Sequence, residues 1–176
     1  CGPCSEIHID LRDKFEKSKV SAIELINQDN PKVIELWNLV FIKYERKSDG
    51  VLVNLPKKHI DTGMGLERLS MVLQGVSSNY EIDIFSGIIK EIEKISNSKY
   101  GDNEEKDIAM RVIADHLRAV CFSIADGQLP SNTGAGYVIR RILRRAVRYA
   151  YSFLKIKKPF LGNLLEELIK KMGSDF

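Results

Sequence analysis

Residues 59–69 read HIDTGMGLERL, a stretch that sets an acid and a hydroxyl ahead of two glycines around a methionine, then an acid–base pair. Read as a flexible turn between a strand and a helix, Gly63-Met64-Gly65 lets the backbone come close to a flat or anionic ligand. Asp61 lies two residues before Gly63 on the same strand, within reach of whatever the glycines approach. Arg68 falls in the first turn of the helix, where it opposes the helix dipole and gains nothing locally. A guanidinium so placed answers to a partner, and polyphosphate suits its planar fork.

A second set of chemistry-bearing residues lies further on. Between Asp126 and Glu166 there is no acidic residue, while Arg140, Arg141, Arg144, Arg145 and Arg148 fall within that span. Their spacing of i, i+1, i+4, i+5 and i+8 puts all five on one helix face. Val138, Ile139, Ile142, Leu143, Ala146 and Val147 are then expected to pack inward. Five guanidiniums without local acids make sense when the compensating charge arrives from outside, and phosphate is the natural source. The plainer alternative is a solvated basic face. Only Tyr149 and Tyr151 are read as interleaving, so duplex RNA phosphates fit better than stacked single strands. Just before this helix, Asn132 sits in the polar loop DGQLPSNTGAG, able to cap the helix or to read a base edge.

Cys1 and Cys4 have CxxC spacing, but a zinc site needs further ligands, and only Cys121, His8, His59 and His116 remain. The pair runs into the alternating SEIHID, a strand pattern, whereas a redox CxxC opens a helix. A glycine-proline turn with two small packable thiols is the plain reading; a metal or thiol-redox protein stays as a third functional alternative.

The elements that must position these residues change character along the chain. SEIHID alternates, VIELWNLVFIKYER (33–46) is a long apolar, β-branched and aromatic run, and Asp49-Gly50 marks a hairpin turn leading to VLVNLP. Residues 17–31 look like a short helix or irregular insertion closed by Pro31. From Leu66 the period becomes helical, with LERLSMVLQ stopped by Gly75, then 80–96 with a stripe of Ile84, Ile88, Ile92 and Ile95. Helices over 104–127, 136–154 and 159–173 follow. The fold class is therefore α+β: an antiparallel sheet region, 1–77, followed by an all-helical region, 78–176.

Composition excludes several classes. With 44% apolar and 29% charged residues over 176 positions and a net charge of +3, the chain is neither disordered nor globally basic. It has no apolar run of membrane-spanning length and no secretory signal pattern, so no membrane partner and a cytoplasmic location are expected. It opens without methionine, which suggests a piece of a longer protein.

DTGMGLERL resembles motif 3 of class II aminoacyl-tRNA synthetases. CGPCSEI, ELWNLVF, DTGMGLERLSMVLQG, NYEIDIF, RVIADHLRA, IADGQLPSN and GYVIRRILRRAVR together are similar, in the same order, to the alanyl-tRNA synthetases within that class. The resemblance covers nearly the whole chain. It implies the C-terminal part of a class II antiparallel sheet followed by the start of the helical tRNA-recognition region. It implies that Arg68 clamps ATP phosphates and that Gly63 and Gly65 shape the floor beneath the adenine. Asp61 would hold the ammonium of L-alanine, with Asn38 and Val40 around the methyl group, and Glu35 would face ATP-bound Mg2+. Asn132 would sense a wobble pair in the acceptor stem of tRNA(Ala), displacing its reading as a cap, and the arginine helix would follow acceptor-stem phosphates.

The reaction so implied, alanine activation with ATP and transfer to the 3′ end of tRNA, needs no protein nucleophile, in keeping with the lack of a Ser/His/Asp constellation. Zinc is expected only in an editing domain that these residues do not include. The regions matching motifs 1 and 2 are also missing, so the 176 residues alone are expected to be inactive. A non-catalytic RNA-binding module derived from a synthetase is the alternative.

Overall fold

The structure is a computed structural model that describes residues 1–173. It is α+β and divides into two compact units, Cys1–Asn79 and Tyr80–Phe176.

The first unit is built on a three-stranded antiparallel sheet in the order β1 (Cys4–Asp10), β2 (Val33–Arg46) and β3 (Leu52–Met64). The β-branched and aromatic run foreseen for 33–46 is one strand over that same range, since such side chains suit a pleated surface. The β2–β3 turn is tightened by Gly50 N–H donating to the Lys47 carbonyl at 2.9 Å. Gly50 alone takes positive φ there (85°), while Asp49 accepts from the Val51 N–H through its carboxylate at 3.0 Å. Between β1 and β2 the chain forms a short helix, α1 (Lys14–Lys19), and a 3-10 turn (Ala22–Leu25). Asp13 and Glu16 form a reciprocal capping box on α1. Asn27 and Asp29 take left-handed φ of 58° and 53°, which short polar side chains tolerate.

One expectation is corrected here. Gly63-Met64-Gly65 is not a turn: β3 runs through Met64, and Gly65, with φ −70°, is the N-cap of α2 (Leu66–Gln74). The strand passes straight into the helix because backbone pairing to β2 continues to Trp37↔Met64. Helix α2 stops at Gly75, whose φ of 67° supplies the left-handed cap. Among the described residues of this unit, Val33 and Met71 are the buried apolar side chains, so the sheet presents both faces outward.

The second unit is helical: α3 (Asp83–Ser96), α4 (Glu104–Ala125), α5 (Gly134–Leu154) and α6 (Leu165–Met172), the last preceded by a 3-10 turn (Leu161–Leu164). Asn103 caps α4, accepting from Lys106 N–H at 3.0 Å, and three acids follow in the first turn. The buried ridge of α3 is Phe85, Ile88, Ile89 and Ile92. The expected stripe was therefore off by part of a turn, with Ile84 and Ile95 at its half-buried flanks. Helices α4 and α5 pack on each other, and small residues on both, Ala109 and Ala114 of α4 and Ala146 and Ala150 of α5, are essentially buried. Gly87 of α3 faces the Glu167 side chain of α6, whose flexible carboxylate end occupies the space a Cβ would take. Core truncations such as Ile88→Ala or Leu164→Ala are worth about 2–5 kcal/mol each in such packing. No helix among the described residues is long and apolar enough to cross a membrane.

Candidate functional site

Strand register decides which side chains share a face. Across β2 and β3, Asn38 pairs with Gly63 and Val40 with Asp61; across β1 and β2, Glu6 pairs with Asn38 and Cys4 with Val40. Directly paired residues point to the same side of a sheet, and so do residues two apart on one strand. Asn38, Val40, Asp61, Gly63 and Glu6 therefore lie on one face. Glu35 is an odd number of residues from Asn38 and would point to the other side in a regular strand. A bulge between Ile7 and His8 shifts the pairing by one, so that His8 faces Glu35 and both join Glu6 on the same side. The opposite face carries Trp37, whose indole N–H donates to the Thr62 hydroxyl at 2.6 Å. That hydroxyl in turn donates to the Asn38 carbonyl at 3.0 Å.

At the Glu35 end of this face, Arg68 reaches back from the first turn of α2. Its Nη1 donates to the Glu35 carbonyl oxygen at 2.7 Å. Its aliphatic stem lies 3.5 Å from where a Cβ on Gly65 would stand. The guanidinium is thus anchored by one N–H, with its other donors directed by the same fork. A Cβ on Gly63 would meet nothing within 4 Å, and Gly63 has no positive φ. Neither packing nor backbone strain asks for glycine there; a bare strip of backbone on the face is what it provides. From Glu35 to Val40, opposite Asp61, the face runs five residues, or about 17 Å.

A dense group of donors stands at the β1–β2 end. The ligating atoms of Glu6, His8 and Glu35 all lie within 4.8 Å of one another. Glu6 is held on both sides, its Oε1 accepting from the Asn38 amide at 3.1 Å and its Oε2 from the Asn27 amide at 3.2 Å. Asn27 comes from the β1–β2 insertion, which is itself clamped by Arg12. That nearly buried guanidinium forms two parallel 2.9 Å bonds to the Asp10 carboxylate and donates to the Val20 carbonyl at 3.0 Å. The Arg12 side-chain bonds hold the Asp10 carboxyl down at about 2, below its ordinary 3.8. Lys32 and Glu16 close the same segment with a 2.7 Å ion pair. Glu6, Asn27 and Arg12 were not singled out in the sequence, and His8 was named there only as one of the histidines left to accompany the CxxC pair. Only the alternation of SEIHID, which puts Glu6 and His8 on one side, gave a signal for those two.

In the helical unit, all five arginines of α5 are exposed, and none forms an ion pair among the described residues. The buried ridge of α5 is Ile139, Ala146, Ala150 and Leu154. Val138 and Val147, expected inside, are 55% and 47% exposed, because each falls about a quarter-turn from that ridge. Arg141, Arg144, Arg145 and Arg148 line an open hollow of about 1000 Å3 together with His116, Tyr137, Tyr149 and Phe153. Tyr137, Arg141, Arg145, Tyr149 and Phe153 succeed one another at i, i+4, with Arg145 5.5 Å from the Tyr149 ring and Arg141 6.0 Å from that of Tyr137. Tyr137 and Phe153 were overlooked in favour of Tyr151. Asn132 is exposed just ahead of the helix and does not cap it; the N-cap is Thr133. A Cβ on Gly136 would strike the Leu129 carbonyl and Ser131 hydroxyl, so this glycine is what lets the Asn132 loop fold back on α5.

Cys1 and Cys4 are free and exposed, outside the donor group, and burial pushes the Cys121 thiol up.

A sheet face with acids, a bare glycine and an arginine at its end is thus followed in the chain by a basic helical unit. The family model described as tRNA synthetases class II (A) matches residues 1–176, and the chain belongs to that family. It is 62% identical over all 176 residues to an alanine–tRNA ligase of Christiangramia forsetii and 61% identical to one of Bacteroides fragilis. An alanine–tRNA ligase of Cytophaga hutchinsonii is 57% identical over the same 176 residues. In each case the match takes in 100% of this chain and 20% of the relative, so the chain spans about a fifth of the length of the curated relatives it matches.

Proposed function

We propose that this chain carries part of the amino-acid-activating centre and part of the RNA-facing region of an alanine–tRNA ligase. Residues 1–77 would serve the first and 78–176 the second. The reaction is ATP-dependent activation of L-alanine to alanyl-adenylate and transfer of the alanyl group to the 3′ end of tRNA(Ala). The observation that carries this reading is the bulge-shifted register that gathers Glu35, Asn38, Val40, Asp61 and Gly63 on one face, with Arg68 at its end.

In the first step a carboxylate oxygen of alanine attacks the α-phosphorus and pyrophosphate leaves. Asp61 is suited to hold the ammonium of alanine, and Asn38 with Val40 to bound its methyl group. The bare strip at Gly63 and Gly65 admits the nucleotide. Arg68 neutralises departing phosphate charge with the donors it does not spend on Glu35. Mg2+ bound with ATP would offset phosphate charge, and the Glu35 carboxylate is the hard oxygen donor that suits it. In the second step a hydroxyl of the terminal ribose attacks the alanyl carbonyl, and AMP leaves. Positioning and charge neutralisation are what both steps require of the protein. A methyl-sized pocket distinguishes alanine from glycine by only about 1–3 kcal/mol.

The unpaired arginines of α5, preceded by Asn132, support the acceptor stem as the RNA element engaged. They equally favour a second reading, an RNA-binding module without catalysis. ATP–pyrophosphate exchange by the complete protein separates the two. The expected result is exchange that depends on L-alanine and is weaker with glycine. Absence of exchange, or exchange driven better by an unrelated amino acid, overturns the proposal.

A further inference from the structure

We propose that Glu6 is a positioning residue of the amino-acid subsite, turning the Asn38 side chain so that its amide oxygen, and not its NH2, faces the bound amino acid. The inference rests on the proposed alanine activation and adds a residue which that proposal does not use. Glu6 and Asn38 are direct partners across β1 and β2, on the face that carries Val40, Asp61 and Gly63. The Asn38 Nδ2 donates to Glu6 Oε1 at 3.1 Å. A carboxylate only accepts, so the amide meets it through nitrogen. The Asn38 Oδ1 is left over and takes no hydrogen bond from the described residues.

Glu6 is itself held from behind. The Asn27 Nδ2 donates to its Oε2 at 3.2 Å, so that each oxygen of Glu6 serves one amide. Asn27 takes its left-handed φ of 58° within the β1–β2 insertion. That segment is closed by the Leu11 N–H donating to the Lys32 carbonyl at 2.7 Å and by the Arg12 bonds to Asp10 and Val20. No lysine or arginine pairs with Glu6 among the described residues, and His8 Nε2 stands 3.8 Å from Oε2, beyond hydrogen-bond reach. The two amides therefore set the orientation of the carboxylate.

What an amide oxygen does here follows from its neighbour. Asp61 pairs with Val40, two residues along β2 from Asn38, so Asn38 and Asp61 are diagonal neighbours on one face, about 7–8 Å apart. An ammonium between them meets two acceptors, and hydrogen bonds of about 2.9 Å to each span that gap. An NH2 turned the same way would oppose the ammonium. The relay from Asn27 through Glu6 to Asn38 thus gives Asn38 a share in holding the ammonium besides bounding the methyl group, and it ties the insertion to the amino-acid subsite.

A double-mutant cycle in the complete protein tests this, read as steady-state ATP–pyrophosphate exchange with L-alanine varied at saturating ATP. Glu6→Ala is expected to raise the KM for L-alanine about tenfold, as loss of one charge-assisted hydrogen bond does. Glu6→Gln should raise it less, since its one amide oxygen still serves one of the two asparagines. Asn38→Ala should raise the same KM at least as far. Adding Glu6→Ala to Asn38→Ala should then change it by less than about twofold, because a residue acting through Asn38 has nothing left to act on. A merely structural residue would add its loss in both backgrounds. Thermal melting checks that each variant is folded; if Glu6→Ala is not, Glu6→Gln runs the same cycle. An unchanged KM for L-alanine in the folded Glu6 variant, or an equal rise with and without the Asn38 amide, overturns the proposal. If either occurs while wild-type exchange depends on alanine, the relay falls and the proposed function stands. Wild-type exchange that does not depend on alanine takes down both.

Discussion

Replacing Arg141 and Arg145 together by glutamine tests the role of the basic helix quantitatively. Both side chains line the open hollow on α5, both are exposed, and neither has a carboxylate partner among the described residues. Each phosphate neutralised on a duplex contributes about 0.9 to the slope of log K against log salt. At about 0.15 M salt that corresponds to roughly 1 kcal/mol, or about fivefold in affinity, for each arginine. The double variant should therefore bind duplex RNA about 30-fold more weakly, with a slope smaller by about 1.8. The gap should widen as salt is lowered. Loss of the two contacts with Tyr137 and Tyr149 costs about 0.5–1 kcal/mol each at exposed sites, offset in part by relief of arginine–arginine repulsion. The fold should accordingly survive. Fluorescence anisotropy of a labelled acceptor-stem hairpin with the complete protein, over a range of salt, supplies both numbers. An unchanged slope would mean that these arginines face solvent and not phosphate.

Gly63→Ala should leave the melting temperature unchanged or slightly higher, since its Cβ meets nothing and the backbone is compatible with alanine. The same change should raise the KM for ATP or alanine in ATP–pyrophosphate exchange; equal kinetics would show that the bare strip is not approached by substrate. The Asp10–Arg12 clamp predicts an acid transition. Asp10 titrates at about 2 when folded against an ordinary 3.8, so the unfolded chain binds more protons between those values. The stability it contributes is full above about 4 and is lost as pH falls toward 2. Melting curves across that range should be steeper in wild type than in Asp10→Asn, and identical slopes would contradict the assignment. Gly136→Ala should loosen the Asn132 loop against α5 and weaken RNA binding while leaving alanine-dependent exchange intact, because its Cβ has no room beside Leu129 and Ser131.

What the sequence disclosed, and what it hid, follow from the range of the interactions involved. The 33–46 strand, the hairpin at Gly50 and the helix stop at Gly75 were legible because β-branched runs and glycine φ preferences act locally. The span of α5 and its arginine face were legible because helical period alone sets them. By contrast, the placement of Glu35 beside His8 depends on a bulge between two strands 22 residues apart, from Asp10 to Val33, and no local pattern encodes it. Nothing in the sequence marked Arg12, yet it is 7% exposed, bonded to the Asp10 carboxylate at the end of β1 and to the Glu16 and Val20 carbonyls of the insertion. The glycines at 63 and 65 suggested a turn because glycine usually marks one. Here strand pairing to Asn38 and Trp37 holds the chain extended up to the helix. Val138 and Val147 were assigned to the inward face opposite the arginines, but the buried ridge is narrower than that face and leaves both exposed at its edges.

Charge at the end of the sheet face is the point on which the proposed chemistry turns. Arg68 offers phosphate a fork anchored 2.7 Å from the Glu35 carbonyl, and a charge-assisted bond of that kind is worth about 1.5–3 kcal/mol. Steady-state ATP–pyrophosphate exchange by the complete protein carrying Arg68→Ala should lose roughly 10- to 150-fold in kcat/KM for ATP, with RNA affinity and melting temperature close to wild type. Exchange at the wild-type rate in that variant would contradict the account.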